Sequence, residues 1–440
     1  MNIILLSGGS GKRLWPLSNN IRSKQFLKIL KREDGTPESM VQRMYRMIMD
    51  VDSKASITIA TSDSQVASIK SQLGDCVNIS VEPCRRDTFP AIALAVAYLK
   101  DELKVNDDEP VVVCPVDSYV EKNYFETLEK LNKAVKEEVA KLVLMGNEPT
   151  YPSEKYGYII PTTADEVARV HSFKEKPDES TAENYIEQGA LWNSGVFAFK
   201  LSYVLKKVEE QFGFSSYDDL FRNYEKLERI SFDYAVVEKE KSTAVLRYFG
   251  SWKDMGTWNT LTEAMSDAVS GNATAAECEN VHIINELQVP LIALGVKDLA
   301  IAATPDGILV TDKESSTHLK DYVGENRPMT EKRIWGEYEV LDIRGEQGRS
   351  SLTKHLLIKA GEHISYQRHQ NRSEVWTVIE GTGMVVIDGV VRDVERGDVV
   401  SIACGRKHGI KAITDLHIIE VQIGDELTEE DIERIHYGWK

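Results

Sequence analysis

At 440 residues the chain is long enough for two or three domains with substantial cores. A net charge of −17 argues against broad binding to nucleic acid or an anionic membrane. No apolar run reaches the roughly 18 residues of a membrane span, and the N-terminus shows no signal-peptide pattern. Five cysteines without a CxxC suit a reducing cytoplasm better than a disulfide scaffold.

The chain opens on Ile3-Ile4-Leu5-Leu6, a short apolar run that reads as a buried parallel strand. It leads into Ser7-Gly8-Gly9-Ser10-Gly11 and then Lys12 and Arg13, with Arg22 and Lys24 following. Glycines let backbone N–H groups approach an anion closely, and the cations add charge, so the layout predicts a triphosphate cradle. A Walker A loop ending at Lys12 would need Gly at position 6 and Ser or Thr at position 13. A dinucleotide fingerprint starting at Gly9 would need Gly at position 14. The chain meets neither requirement. A plain βα turn with a solvated basic face is the structural alternative.

Further on, 57–60 and 77–81 read as strands, and 91–103 as a helix with Pro90 near its first turn. This βαβ rhythm predicts a doubly wound sheet with ligands beyond the carboxyl ends of its strands. Val111-Val112-Val113-Cys114-Pro115-Val116-Asp117 is a buried strand ending in a carboxylate, placed either to hold Mg²⁺ or to make an Asx turn. Tyr156-Gly157-Tyr158 offers a flat wall for a sugar, Glu175-Lys176-Pro177 an acceptor and a cation, and Asn193 a further hydroxyl partner. Asp254 is the natural second carboxylate beside Asp117, since a nucleotide-bound Mg²⁺ prefers several hard oxygens.

The run GGSGKRLWPLS…SKQF resembles the N-terminal signature of the sugar-1-phosphate nucleotidyltransferases, and its Leu-Trp-Pro-Leu-Ser segment is typical of mannose-1-phosphate guanylyltransferases. The likeness covers about residues 1–265. The chain departs from the usual pattern at Lys12, Asn19, Ser23, Asp87 and Ser118. The resemblance implies nucleotide binding by Leu6, Gly8, Gly9, Ser10, Gly11, Lys12 and Arg13, and by Glu82, Arg86, Asp87 and Thr88. It implies sugar-phosphate binding by Gly157, Glu175, Lys176 and Asn193, and Mg²⁺ binding by Asp117 and Asp254. Arg13, Lys24, Asp117, Lys176 and Asp254 become the expected catalytic group. Expected partners are a nucleoside triphosphate, most simply GTP, and a sugar 1-phosphate such as mannose 1-phosphate. CTP with another sugar stays open, as does a homo-oligomer.

Residues 268–330 read as a small β connector. Residues 331–440 are short strands and turns with six of the nine histidines, which predicts a β-barrel. Gln367, His369, Glu374 and, after a second glycine-flanked segment, His408 have the spacing of the two cupin motifs. With Arg333-Ile334-Trp335-Gly336-Glu337-Tyr338 and the ending Glu420-Val421-Gln422, this part resembles the cupin domain of type II phosphomannose isomerases. The four residues would hold Zn²⁺ or a similar ion. The implied activity is interconversion of mannose 6-phosphate and fructose 6-phosphate. The alternative is a non-catalytic binding or oligomerisation module. The expected fold is therefore α/β: a doubly wound, mainly parallel nucleotidyltransferase domain (1–267), the connector, and a C-terminal cupin β-barrel.

Overall fold

The computed structural model describes residues 1–9, 11–19, 21–324, 327–346, 349–425 and 427–439. The chain forms two compact units: 1–268 with 311–322, and 269–310 with 323–440. The stretch expected as a connector is thus shared between them.

The first unit is built on a nine-stranded sheet. Its strands are β1 (Asn2–Ser7), β2 (Ser56–Ser62), β3 (Asn78–Glu82), β4 (Pro110–Pro115), β5 (Leu142–Asn147), β6 (Tyr158–Pro161), β7 (Val167–Lys174), β8 (Leu191–Lys200) and β9 (Thr243–Tyr248). They lie in the order 3-2-1-4-8-5-9-7-6. β3, β2, β1 and β4 are all parallel, as is the pair β5–β9, while β8 runs antiparallel to both β4 and β5. The helices are α1 (Met40–Val51), α2 (Asp63–Leu73), α3 (Thr88–Asp101), α4 (Lys122–Lys136), α5 (Glu179–Glu187) and α6 (Leu201–Phe212).

Successive strand residues point to opposite faces, and both faces are covered. Ile4, Val111 and Val113 pack with α3 and α6; Ile3, Leu5, Val112 and Cys114 pack with α1, α2 and α4. This double coverage is why β1 and β4 are continuously apolar rather than alternating. The strand order turns at β1, a topological switch point of the kind beyond which doubly wound sheets place a ligand crevice.

A buried polar network underpins that crevice. Gln65 of α2 accepts at Oε1 from Ser7 Oγ (3.1 Å), Gln25 Nε2 (3.2 Å) and Thr61 Oγ1 (2.9 Å), and its Nε2 donates to Ser23 Oγ (2.8 Å). Ser23 is therefore tied to α2 by its hydroxyl. The network holds the end of β1 against the segment that carries Lys24.

In the second unit, Val269 pairs in parallel with Ile283, His282 with Ala300, and Ala273 with Leu291. The offsets describe stacked coils, a parallel β-solenoid. The rest is a barrel of a six-stranded and a five-stranded sheet. It includes β10 (Gly336–Glu346), β11 (Arg349–Ile358), β12 (Gln367–Arg368), β13 (Arg372–Glu380), β14 (Thr382–Ile387), β15 (His408–Ala412), β16 (Leu416–Gly424) and β17 (Glu433–Arg434). Inward residues divide the interior in two. Leu356, Ile358, Trp376, Val378, Leu416 and Ile418 form an apolar end. On the same strands Lys354, Arg372, Glu374, Glu420 and Gln422, also buried, form a polar end.

Gln65→Leu keeps the volume but leaves four buried groups short of a partner. It should lower the unfolding free energy by about 2 kcal/mol or more, read from urea melts of the full chain; a change under about 0.5 kcal/mol, the level of a neutral surface substitution, would show that the network is dispensable.

Candidate active site and metal centre

The glycine loop leaves the carboxyl end of β1. Gly9 has φ 147° and Gly11 φ 65°. A Cβ at Gly11 would run into the Asn19 backbone, so only glycine fits there. Asn19 Oδ1 accepts from the N–H groups of Ile21 and Arg22 (2.8 and 2.7 Å), closing the loop that leads to Lys24. Lys12 and Arg13 lie in a single 3₁₀ turn, Arg13 exposed. The Leu6 carbonyl accepts from Val116 N–H (3.2 Å), joining the ends of β1 and β4. Ser10 lies outside the described residues.

Asp117 follows β4, and its neighbours Ser118–Val120 pair antiparallel with Trp252–Asp254, putting Asp254 opposite Ser118. The two predicted carboxylates therefore meet. Lys24 Nζ stands between them, 2.6 Å from Asp117 Oδ2 and 3.4 Å from Asp254 Oδ1. Burial alone would lower the Lys24 ammonium, but the two carboxylates outweigh it and raise it above its ordinary value. A cation already sits where the carboxylates converge, and their hard oxygens suit Mg²⁺.

Glu82 ends β3, and Arg86, Asp87 and Thr88 follow it, on the same edge of the sheet. Each makes a contact within the fold. Tyr224 donates to Glu82 Oε2 (2.9 Å), and burial raises the Glu82 carboxyl. Arg86 donates to the Glu225 carbonyl. Asp87, at φ 73°, caps α3 by accepting from Thr88 N–H (2.7 Å). Thr88 Oγ1 accepts from Phe232 N–H (2.9 Å).

The sugar-side residues come together. Gly157 O accepts from Asn193 N–H (2.8 Å), and a Cβ on Gly157 would press on Glu175 Oε2. Lys176, at φ 46°, donates to Glu175 Oε1 (2.6 Å). Glu175 Oε2 is buried without a hydrogen-bond partner, so this carboxylate can accept from a bound hydroxyl. The two tyrosines that flank Gly157 are placed differently. Tyr158 is fully buried with its hydroxyl tied to Ser153, whereas Tyr156 packs on Trp192 and Trp252 at 4.9 and 5.3 Å.

Asp233 also belongs here, although its short helix Phe232–Ala235 carries no motif. Its Oδ1 accepts from Asn193 Nδ2 (2.7 Å). Burial, reinforced by Glu175, pushes its carboxyl up to about 7. Only the approach of two distant segments reveals that pairing.

In the barrel, His369, Glu374 and His408 are all buried, with ligand atoms within 4.8 Å of one another. Glu374 Oε1 is 3.1 Å from His369 Nε2, and Glu374 Oε2 is 3.4 Å from His408 Nε2. Burial would raise the Glu374 carboxyl, but the two imidazoles hold it well below the usual range. His408 Nδ1 faces the Arg406 carbonyl (2.9 Å) and His369 Nδ1 the Asp431 carbonyl (3.2 Å). Binding a metal would need the ring protons on Nδ1, facing these carbonyls, in place of the Nε2 contacts with Glu374. His408 Nε2 is buried and has no hydrogen-bond partner. That orphaned atom, in a set of two imidazoles and a carboxylate, fits a divalent ion.

Gln367 is beside them, its Nε2 3.4 Å from His369 Nε2 and its Oε1 accepting from Ser365 Oγ (2.8 Å). Arg372, on the strand that carries Glu374, donates to Glu374 Oε1 (3.1 Å). Glu420, pushed up to about 7 by burial and by Glu374, accepts from Trp376 (3.2 Å) and Gln422 (3.0 Å).

Two protein families match the chain: Nucleotidyl transferase over residues 2–271 and Mannose-6-phosphate isomerase C-terminal over 324–437. A mannose-1-phosphate guanylyltransferase of Salmonella montevideo is 30% identical over 98% of both chains. Another, from Escherichia coli K12, is 30% identical over 99% of this chain and 98% of its own. A crystal structure described as a mannose-1-phosphate geranyltransferase of Thermus thermophilus superposes with a TM-score of 0.61 and 28% identity, covering 73% of this chain and 97% of that one. The glycine loop, the paired aspartates and these full-length likenesses agree: the chain belongs to the nucleotidyl transferase family, among the mannose-1-phosphate guanylyltransferases that carry an isomerase-type C-terminal domain.

Proposed function

We propose that the chain transfers a guanylyl group from GTP to mannose 1-phosphate, giving GDP-mannose and pyrophosphate. The observation that carries this is Lys24 set between Asp117 and Asp254 at the crevice below the glycine loop. A phosphate oxygen of the sugar 1-phosphate attacks the α-phosphorus of the triphosphate; the bond to the β-phosphate oxygen breaks and pyrophosphate leaves. The reaction needs positioning and charge neutralisation more than covalent chemistry. The backbone of Gly8, Gly9 and Gly11, with Lys12 and Arg13, would hold the triphosphate. Mg²⁺, held by Asp117 and Asp254, would supply neutralisation of its charge. Lys24, released from the carboxylates, would then be free for the reacting phosphates. Lys176 would anchor the sugar phosphate, while Glu175, Asn193 and Asp233 would read hydroxyls. Glu82, Arg86, Asp87 and Thr88 would border the base.

For the barrel we propose mannose-6-phosphate isomerisation. Zn²⁺ or a similar ion, held by His369, Glu374 and His408 and by Gln367 once its amide turns over, would polarise the sugar carbonyl and hydroxyl. The orphaned His408 Nε2 favours this over an inert module. The five unpaired cysteines support a cytoplasmic setting. Among the described residues no helix is long and apolar enough to cross a membrane.

A panel of triphosphates and sugar 1-phosphates, read by pyrophosphate release, should favour GTP with mannose 1-phosphate; preference for CTP or another sugar would overturn the substrate assignment. Asp117→Asn should cut turnover by about 100-fold or more with little change in melting temperature, and near-normal turnover would remove that aspartate from the mechanism. Chelation and His369→Ala should each abolish isomerase activity while pyrophosphate release persists with added Mg²⁺; isomerisation indifferent to both would sink the metal reading.

Asp233 makes a pH prediction. The folded carboxyl titrates at about 7 against an ordinary 3.8. Between those values the folded chain holds a proton that the unfolded chain releases, so this group's contribution to stability falls as pH rises. Asp233→Asn keeps an acceptor for Asn193. Its melting temperature relative to wild type should therefore be higher at pH 8 than at pH 5; a difference independent of pH would contradict the assignment.

A further inference from the structure

The ligand His369 sits just past β12, in the short link to β13. The C-terminal residues 427–439 run along this link. Asp431 grips it twice. Its carboxylate accepts from two successive backbone N–H groups, Gln370 to Oδ1 (3.0 Å) and Asn371 to Oδ2 (3.2 Å). Its own backbone carbonyl faces His369 Nδ1 at 3.2 Å.

The same segment holds the link on either side. The Thr428 carbonyl accepts from Arg372 Nη1 (2.8 Å). Glu433 takes both arms of the Arg368 guanidinium at 2.6 and 2.9 Å, and β17 pairs with β12. Farther along, Tyr437 packs on Tyr366 at 4.8 Å between ring centres. Trp439 reaches the second ligand strand, where Gly409, next to His408, has no side chain to keep it away.

We propose that Asp431 is a positioning residue of the barrel's metal centre: its carboxylate clamps the His369 link so that its backbone carbonyl stays in place to accept from His369 Nδ1–H, which holds the imidazole in the one tautomer that offers Nε2 to a metal. A neutral imidazole carries one ring proton. If Nδ1 lost its carbonyl, the proton could move to Nε2, where Glu374 Oε1 waits 3.1 Å away as an acceptor. That tautomer would hydrogen-bond to Glu374 and withdraw two ligand atoms at once. Metal-bound histidines usually donate their other ring N–H to a carbonyl or carboxylate, and loss of such a partner costs about 10–100-fold in metal affinity.

This rests on the metal reading of the barrel, and the test keeps the two apart. Zn²⁺ affinity is measured by competition with a chromophoric chelator on full-length wild type, Asp431→Ala and Asp431→Asn, together with the visible spectrum of each Co²⁺-loaded protein. Asp431→Ala, which unclamps the link and so lets the residue 431 carbonyl drift from Nδ1, should bind about 10–100-fold more weakly with an altered Co²⁺ spectrum. Asp431→Asn, which keeps one acceptor, should fall between. Pyrophosphate release by all three should match and serves as the folding control. Wild-type affinity and spectrum in Asp431→Ala would overturn the proposal, even if the metal-free variant melts lower. Failure of wild type itself to bind Zn²⁺ or Co²⁺ would overturn the metal reading and the proposal with it.

Discussion

Two carboxylates that face each other across a crevice need a cation between them. Like charges about 4 Å apart repel by about 4 kcal/mol at an effective dielectric of about 20. The fold brings Asp117 and Asp254 together through an antiparallel pairing of short strands, and Lys24 supplies the neutralising charge. Much of the first unit follows from that need. Lys24 must be delivered to the spot, so its segment is tied by Ser23 and Gln25 to Gln65 and Ser7. Ser7 ends the strand that starts the glycine loop. The glycine loop and the carboxylate pair thus share one buried support.

The barrel solves a related problem in a closed interior. Alternate residues of β11, β13 and β16 point inward, apolar toward one end and charged toward the other. Glu374 is tolerable there because two imidazoles and Arg372 surround it. Glu420 is pushed up toward neutrality by burial and by Glu374, against the pull of Lys354 and Arg372. Burying a charge without a partner is expensive, so the polar end is laid out as alternating donors and acceptors. In that layout His408 Nε2 is left without a hydrogen bond, which is the atom the metal proposal uses.

Local patterns made much of this legible. Ile3-Ile4-Leu5-Leu6 and Val111-Val112-Val113 announced strands covered on both faces, and the glycines after the first announced a tight loop. His369, Glu374 and His408 fell into one buried cluster, as their spacing suggested. The stacked coils of 269–304 were less accessible. Short β-branched runs look alike whether they pair in parallel or antiparallel, and only the register of His282 against Ala300 decides it. Tyr158 does not join the wall that its place beside Gly157 suggests, because its hydroxyl is needed inside at Ser153.

By itself, then, the sequence determined the elements whose signals are local: a glycine turn after an apolar strand, a set of carboxylates and cations in a familiar order, and a histidine-bearing barrel. Tertiary structure alone decided which of them touch. Asp233 joins Asn193, Gln65 locks Ser7 to Ser23, and Asp431 clamps the His369 link. Each is an ordinary polar residue whose meaning comes from a partner tens of residues away. Hydrogen bonds and charge pairing act through space over a few ångströms, so their role exists only once the chain has brought those partners together.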